Sequence, residues 1–81
     1  MPRTIFRPGK KYRVKSDFTK YGDDFSAGEI LVFVNGTYSP YDNCDVYEFR
    51  CQDGSTKSWW LHQDEPAKQW KTYFKPVGFF G

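Results

Sequence analysis

The sequence predicts a small all-β domain: five short strands wrapped into a partly open barrel, with one short helical turn before the last strand. Three observations carry this expectation. Seventeen of the 81 residues are aromatic, against two Leu and two Ile, so rings must fill the interior. Several segments alternate apolar and polar residues with a period of two. Gly-containing turn signals, Asn35-Gly36 and Asp53-Gly54, separate these segments. Barrel closure also removes the edge strands that would invite aggregation.

The elements follow in order. Residues 1–9 read as an arm, because Pro2, Pro8 and Gly9 deny regular structure. Residues 10–77 form the barrel and 78–81 an apolar tail, Gly78-Phe79-Phe80-Gly81, expected to pack back onto the core. In Tyr12–Phe18, Tyr12, Val14 and Phe18 face one way and Arg13, Lys15 and Asp17 the other, as in a half-buried strand. Thr19–Gly28 reads as a long polar loop. Ile30–Val34 is a β-branched and aromatic run suited to a central strand.

Asn35-Gly36 could close a tight hairpin, but Pro40 and Asp42-Asn43 favour a longer loop over 35–45. Val46–Cys51 alternates again, with Tyr47, Phe49 and Cys51 on one face. After the Asp53-Gly54 turn, Lys57–His62 returns as a strand. Trp59 and Leu61 share a face, which leaves Trp60 on the other; both faces cannot be core, so one of the two tryptophans is expected to be at least partly exposed. Asp64-Glu65-Pro66 has the acids and proline of a helical start. A single turn through Lys68-Gln69-Trp70 fits before the last short strand, Thr72–Val77.

A chain of this length makes one domain, since single cores occupy about 50–200 residues. No run of about 18 apolar residues is present, so no membrane span is expected. The first eight residues lack the apolar stretch of a secretory signal, and a cytoplasmic location is expected. In that reducing compartment Cys44 and Cys51 are expected as thiols; the alternative is a disulfide closing a short loop. With His62 they cannot supply four zinc ligands, and no cofactor is expected.

Charge is divided unevenly. Residues 1–21 carry a net +6, residues 22–65 a net −7 and residues 66–81 a net +3. If the chain ends converge, the molecule has a basic pole able to steer an acidic partner or a phosphate backbone.

The order of strand, long acidic-aromatic loop, strand, aromatic loop, hairpin, helical turn and last strand resembles that of Src homology 3 (SH3) barrels over residues 10–77. Locally, Asp24-Phe25-Ser26-Ala27-Gly28-Glu29-Ile30-Leu31 looks like the stretch after the first long loop of those domains. Trp59-Trp60, however, lie after the Asp53-Gly54 turn, where the paired tryptophans of SH3 domains precede the hairpin. Tyr73-Phe74-Lys75-Pro76 only echoes the SH3 C-terminal signature. The chain therefore looks like one of the small bacterial or phage proteins with an SH3-like fold rather than a peptide-binding SH3 domain. The resemblance implies that the first and last strands are neighbours, bringing segments 7–20 and 68–75 together.

Catalytic equipment is sparse. His62, the single histidine, could be imagined as a relay between Asp64 and a Cys51 nucleophile, but it reads instead as a polar strand-end histidine. Asp23 and Asp24, adjacent in a loop, are expected to face water rather than form a carboxylate pair. No enzyme is expected.

For binding, Tyr21 and Phe25 from the first loop, Tyr38 and Tyr41 from the second, and Trp60 or Trp70 are expected to line one groove for a proline-rich peptide. Asp23 and Asp24 beside them would select a basic residue. The competing expectation is that several of these rings are core, Trp70 above all. A second possibility is single-stranded nucleic acid on Lys10, Lys11, Arg13, Lys15, Lys71 and Lys75, interleaved with aromatic residues. The acidic middle and a pI near 8.6 count against it. A third is a small inhibitor or immunity protein that masks a larger one.

Overall fold

A computed structural model describes residues 2–78. Of the tail singled out above, Phe79, Phe80 and Gly81 lie outside the described residues. The fold is all-β, with strands β1 (Lys11–Val14), β2 (Phe18–Lys20), β3 (Asp23–Phe25), β4 (Ile30–Ser39), β5 (Cys44–Arg50), β6 (Thr56–His62) and β7 (Phe74–Pro76). A 3-10 turn (Ala67–Gln69) runs into a single helical turn, α1 (Trp70–Tyr73), before β7. No helix among the described residues is long and apolar enough to cross a membrane.

Five strands form one antiparallel sheet in the order β6-β5-β4-β1-β7, and β2-β3 form a separate hairpin. No closed barrel results. The first and last strands of the sheet pair directly, Tyr12 with Pro76, Arg13 with Lys75 and Val14 with Phe74. The two basic ends of the chain therefore converge, as expected.

Alternation sets the faces. Tyr12, Val14, Leu31, Phe33, Tyr47, Phe49, Trp59 and Leu61 point inward and are buried. Trp59 is fully buried while Trp60, one residue on, is half-buried on the outer face. Asp53-Gly54 is the β5-β6 turn, with Gly54 at φ 90° and its N–H bonded to the Cys51 carbonyl.

Two expected loops are strands instead. Within Thr19–Gly28, residues up to Phe25 belong to the β2-β3 hairpin. Asn35 and Gly36 lie inside β4, opposite Glu48 and Tyr47, just past a bulge after Phe33. The chain turns at 40–43 instead. Gly36 answers to packing: a Cβ there would sit 3.3 Å from the Tyr47 ring and 3.6 Å from Pro2. Local turn chemistry yields to a ladder that runs on to Ser39.

The N-terminal arm is irregular in backbone, yet it fills the interior. Phe6 is buried, and its ring centroid lies 5.0–6.0 Å from those of Tyr12, Phe33, Tyr47, Phe49, Trp59, Trp70 and Phe74. Six of these contacts are edge-to-face, the geometry that sets a positive ring edge on a negative face.

A polar clamp holds the arm in place. Asp45 is fully buried at an inward position of β5, where alternation calls for an apolar residue. Its carboxylate accepts Arg3 Nε at 2.6 Å and Gln63 Nε2 at 2.7 Å. The remaining guanidinium nitrogens donate to the carbonyls of Glu65 (2.6 Å) and His62 (2.9 Å) at the end of β6. Tyr47 donates its hydroxyl to the Arg3 carbonyl at 2.6 Å. Burial, then the nearby Asp45 charge, pushes the Tyr47 phenol well above its ordinary range.

Two outcomes follow for denaturant unfolding. Phe6→Ala removes the ring that seven others surround and lowers stability by about 3–5 kcal/mol, the usual cost of a large aromatic truncation. Arg3→Met leaves the Asp45 charge buried without its partner and costs about 3–5 kcal/mol, whereas Arg3→Met with Asp45→Leu recovers most of that loss. A double variant as unstable as the single one would contradict the clamp.

Candidate aromatic interface on the outer sheet face

The hairpin β2-β3 is pinned at both ends. At its base Phe18 stacks on Phe25 (centroids 4.7 Å, interplanar 9°) and packs against Tyr73 at 4.5 Å. Along its length Asp23 Oδ2 accepts the Ser58 N–H at 2.9 Å, so the hairpin covers the free edge of β6. Near the tip Lys20 pairs with Glu65 at 3.1 Å and lies 5.2 Å from the Trp59 ring centroid. The Glu65 carboxyl is raised by partial burial, but hydrogen bonds from the His62 N–H and Lys20 outweigh this and hold it below its ordinary value.

The connection between the two strands is Tyr21-Gly22, with φ of 54° and 90°. Two successive positive values are the pattern of the tight type I′ turn, whose first position favours Asn, Asp or Gly. Asn43, the other non-glycine with positive φ, fits that preference. A bulky tyrosine does not, and such a residue is held only where its surroundings over-determine it.

The surroundings here are identifiable. The Tyr21 ring lies parallel to Trp60, with centroids 5.2 Å apart and an interplanar angle of 9°. Its hydroxyl meets Cys44 Sγ at 3.5 Å. That hydrogen bond, more than burial, raises the Tyr21 phenol. The tip of the hairpin thus folds over the β6 edge onto the outer sheet face, where Val46 and Thr37 share Trp60's row. Even so, Tyr21 remains 55% exposed. The result is a two-ring platform fixed in orientation and open to solvent.

The predicted groove is only partly assembled. Tyr21 and Trp60 come together. Phe25 does not join them: it is buried, stacked on Phe18 and edge-on to Phe74. Tyr38 shares a row with Asp45 and Leu61, on the face opposite Trp60, and donates its hydroxyl to Asn43 Oδ1 at 2.7 Å. Tyr41 stands wholly exposed at the β4-β5 turn. Asp23 Oδ2 accepts the Ser58 N–H, and Asp24, exposed, accepts the Thr19 hydroxyl at 2.6 Å. Trp70 is half-buried against the core, as expected of a plug.

His62 faces Cys44 across the ladder rather than Cys51, and its Nδ1 accepts the Asp64 N–H at 3.1 Å. Both cysteines are buried thiols. Cys44 opens β5 and Cys51 directly follows its last residue, so at strand rise their Cα atoms are separated by roughly 23 Å, beyond the ~7 Å reach of a disulfide. The Cys51–His62 relay is therefore not assembled. Sequence reasoning missed the cover that Tyr21 puts over Cys44; its one signal was a tyrosine standing before glycine in a polar segment.

No protein-family model matches the chain, and no curated protein is similar to it in sequence. Among solved structures, it is similar to an integron cassette protein from the mobile metagenome of Vibrio cholerae. The two share 20% identity over 90% of each chain, with a TM-score of 0.71. The likeness is one of fold.

Because Tyr21 is the lid over Cys44, Tyr21→Ala should make one thiol react with a disulfide-exchange reagent under native conditions. The same change in a Cys44→Ser background should restore slow labelling. Equal labelling rates in the parent and Tyr21→Ala proteins would refute the lid.

Proposed function

We propose that the chain is a non-catalytic binding module, SH3-like in its strand order, that engages a protein partner through the Tyr21–Trp60 platform. One observation carries the proposal: a tyrosine at a strained turn position, stacked on a half-buried tryptophan and left open to solvent. Aromatic side chains held rigid bring large contact area at little entropic expense, and such rings dominate interface energetics. Val46 and Thr37 extend the patch along the same row.

The peptide groove expected from the sequence narrows to this platform, because Phe25 is core and Tyr38 points elsewhere. A masking protein would use the same patch. An integron cassette protein from a mobile metagenome has a similar fold.

The test is affinity capture from the native host with parent, Tyr21→Ala and Trp60→Ala baits, followed by binding measurements on the protein recovered. A hot-spot ring typically carries about 2 kcal/mol or more, so each variant should bind at least roughly 30-fold more weakly while its melting temperature stays near the parent's. A partner that binds all three alike would place the interface elsewhere.

A further inference from the structure

We infer that the opposite end of the same outer face, on β1 and β7, is a phosphate-backbone site where Arg13 and Lys75 hold a single-stranded nucleic acid. The ladder sets Arg13 directly across from Lys75. Like charges in that position destabilise a sheet, and neither side chain meets a carboxylate among the described residues. By contrast Arg3, Lys20 and Lys57 are each paired with an acid. The two uncompensated cations line a cleft of about 140 Å³ with Pro76, Val77 and Gly78. The cleft is small, cationic and open, which suits a phosphate group.

Neighbouring residues extend the site in a line. Alternation puts Lys11 on the same face as Arg13, and residues two apart on a strand are spaced by roughly 6.8 Å. The Lys11 row continues through Val32 to Arg50, another exposed cation without an acid partner among the described residues. A repeating row of positive charge fits a repeating row of phosphates, and the planar guanidinium of Arg13 can grip one through two donors. Half-buried Ile30 and Val32 lie between the cations and present apolar surface rather than base-reading donors. Binding is therefore to the backbone, with little preference for sequence. Of the six basic residues expected to contact nucleic acid, Lys11, Arg13 and Lys75 carry the site. Lys15 Nζ is tied to the Lys71 carbonyl at 2.9 Å.

The site is independent of the aromatic platform, so either can fail alone. The experiment is fluorescence anisotropy of a labelled oligothymidylate titrated with the full chain across a salt series. About three neutralised phosphates on a single strand give a slope of log affinity against log salt of roughly −2. Arg13→Glu creates an opposite-charge pair with Lys75, so its melting temperature should hold or rise while affinity drops at least tenfold and the slope shallows. Lys68→Glu, on the 3-10 turn, makes the same change in net charge and should cost less than threefold. Three results would overturn the inference: no binding at about 50 mM salt, where such contacts are strong; equal losses from Arg13→Glu and Lys68→Glu; or competition by polyglutamate as effective, charge for charge, as that by the oligonucleotide.

Discussion

Everything in this fold depends on a phenylalanine supplied from outside the strands. Phe6 sits among seven rings drawn from β1, β4, β5, β6, α1 and β7, and so ties all of these elements to one centre. The reason is compositional. With two Leu and two Ile in the chain, the interior is short of the branched aliphatic side chains that adapt to odd spaces, Val14, Leu31 and Leu61 being its buried ones. Flat rings leave gaps unless another ring meets them edge-on, and an open sheet of short strands cannot supply that ring from its own ladder. The arm delivers it, and Arg3 locks the arm by satisfying Asp45. One unmet demand remains. Trp59 Nε1 is buried without a hydrogen-bond partner among the described residues, and the rings of Phe6, Tyr73 and Phe74 neighbour the indole.

A core of this kind also decides where the surplus aromatic surface goes. Phe18, Phe25, Tyr73 and Phe74 form a second ring cluster at the foot of the β2-β3 hairpin. That cluster fixes the base, Asp23 fixes the flank to β6, and Lys20 with Glu65 fixes the approach to the tip. A hairpin held at three points can carry a strained tyrosine at its turn. Stability at the base is thus converted into orientation at the tip, the link from packing to the proposed contact surface.

Much of this was legible in the sequence, because period-two alternation survives wherever a strand has one wet face. It located β5 and β6 and set Trp59 and Trp60 on opposite faces, and Asp53-Gly54 named the turn between them. The failures share a cause. Residues 2–9 have no period, so nothing marked Phe6 as the centre of the core or Arg3 as its clamp. Asn35-Gly36 carries turn chemistry, but pairing with Glu48 and Tyr47 overrides it, and the glycine serves the close approach of the Tyr47 ring. Phe25 looked like a loop aromatic only because a three-residue strand flanked by charge gives too short a pattern to read. Tyr38 was misplaced by the same error in the 35–45 loop, which hid the face it points to.

The charge pattern gains meaning only once the sheet order is known. In sequence, the basic ends are separated by an acidic middle; in the fold, β1 and β7 are hydrogen-bonded neighbours. Most acids are engaged or lie at turns, although Glu48 stands on β5 two residues from Arg50. Asp45, Glu29 and Glu65 are consumed by structural pairs with Arg3, Lys57 and Lys20. Others, including Asp42 and Asp53, sit at turns that the β1-β7 edge does not reach. The cations on β1 and β7 therefore keep their charge without local neutralisation, although a Glu at position 13 or 75 would have relieved the ladder pair. Lysine and proline on an edge strand also discourage edge-to-edge pairing of sheets, which accounts for Lys75 and Pro76. It does not account for Arg13, whose strand is covered on both sides. That residue separates an edge built to stay alone from the surface proposed to attract an anion.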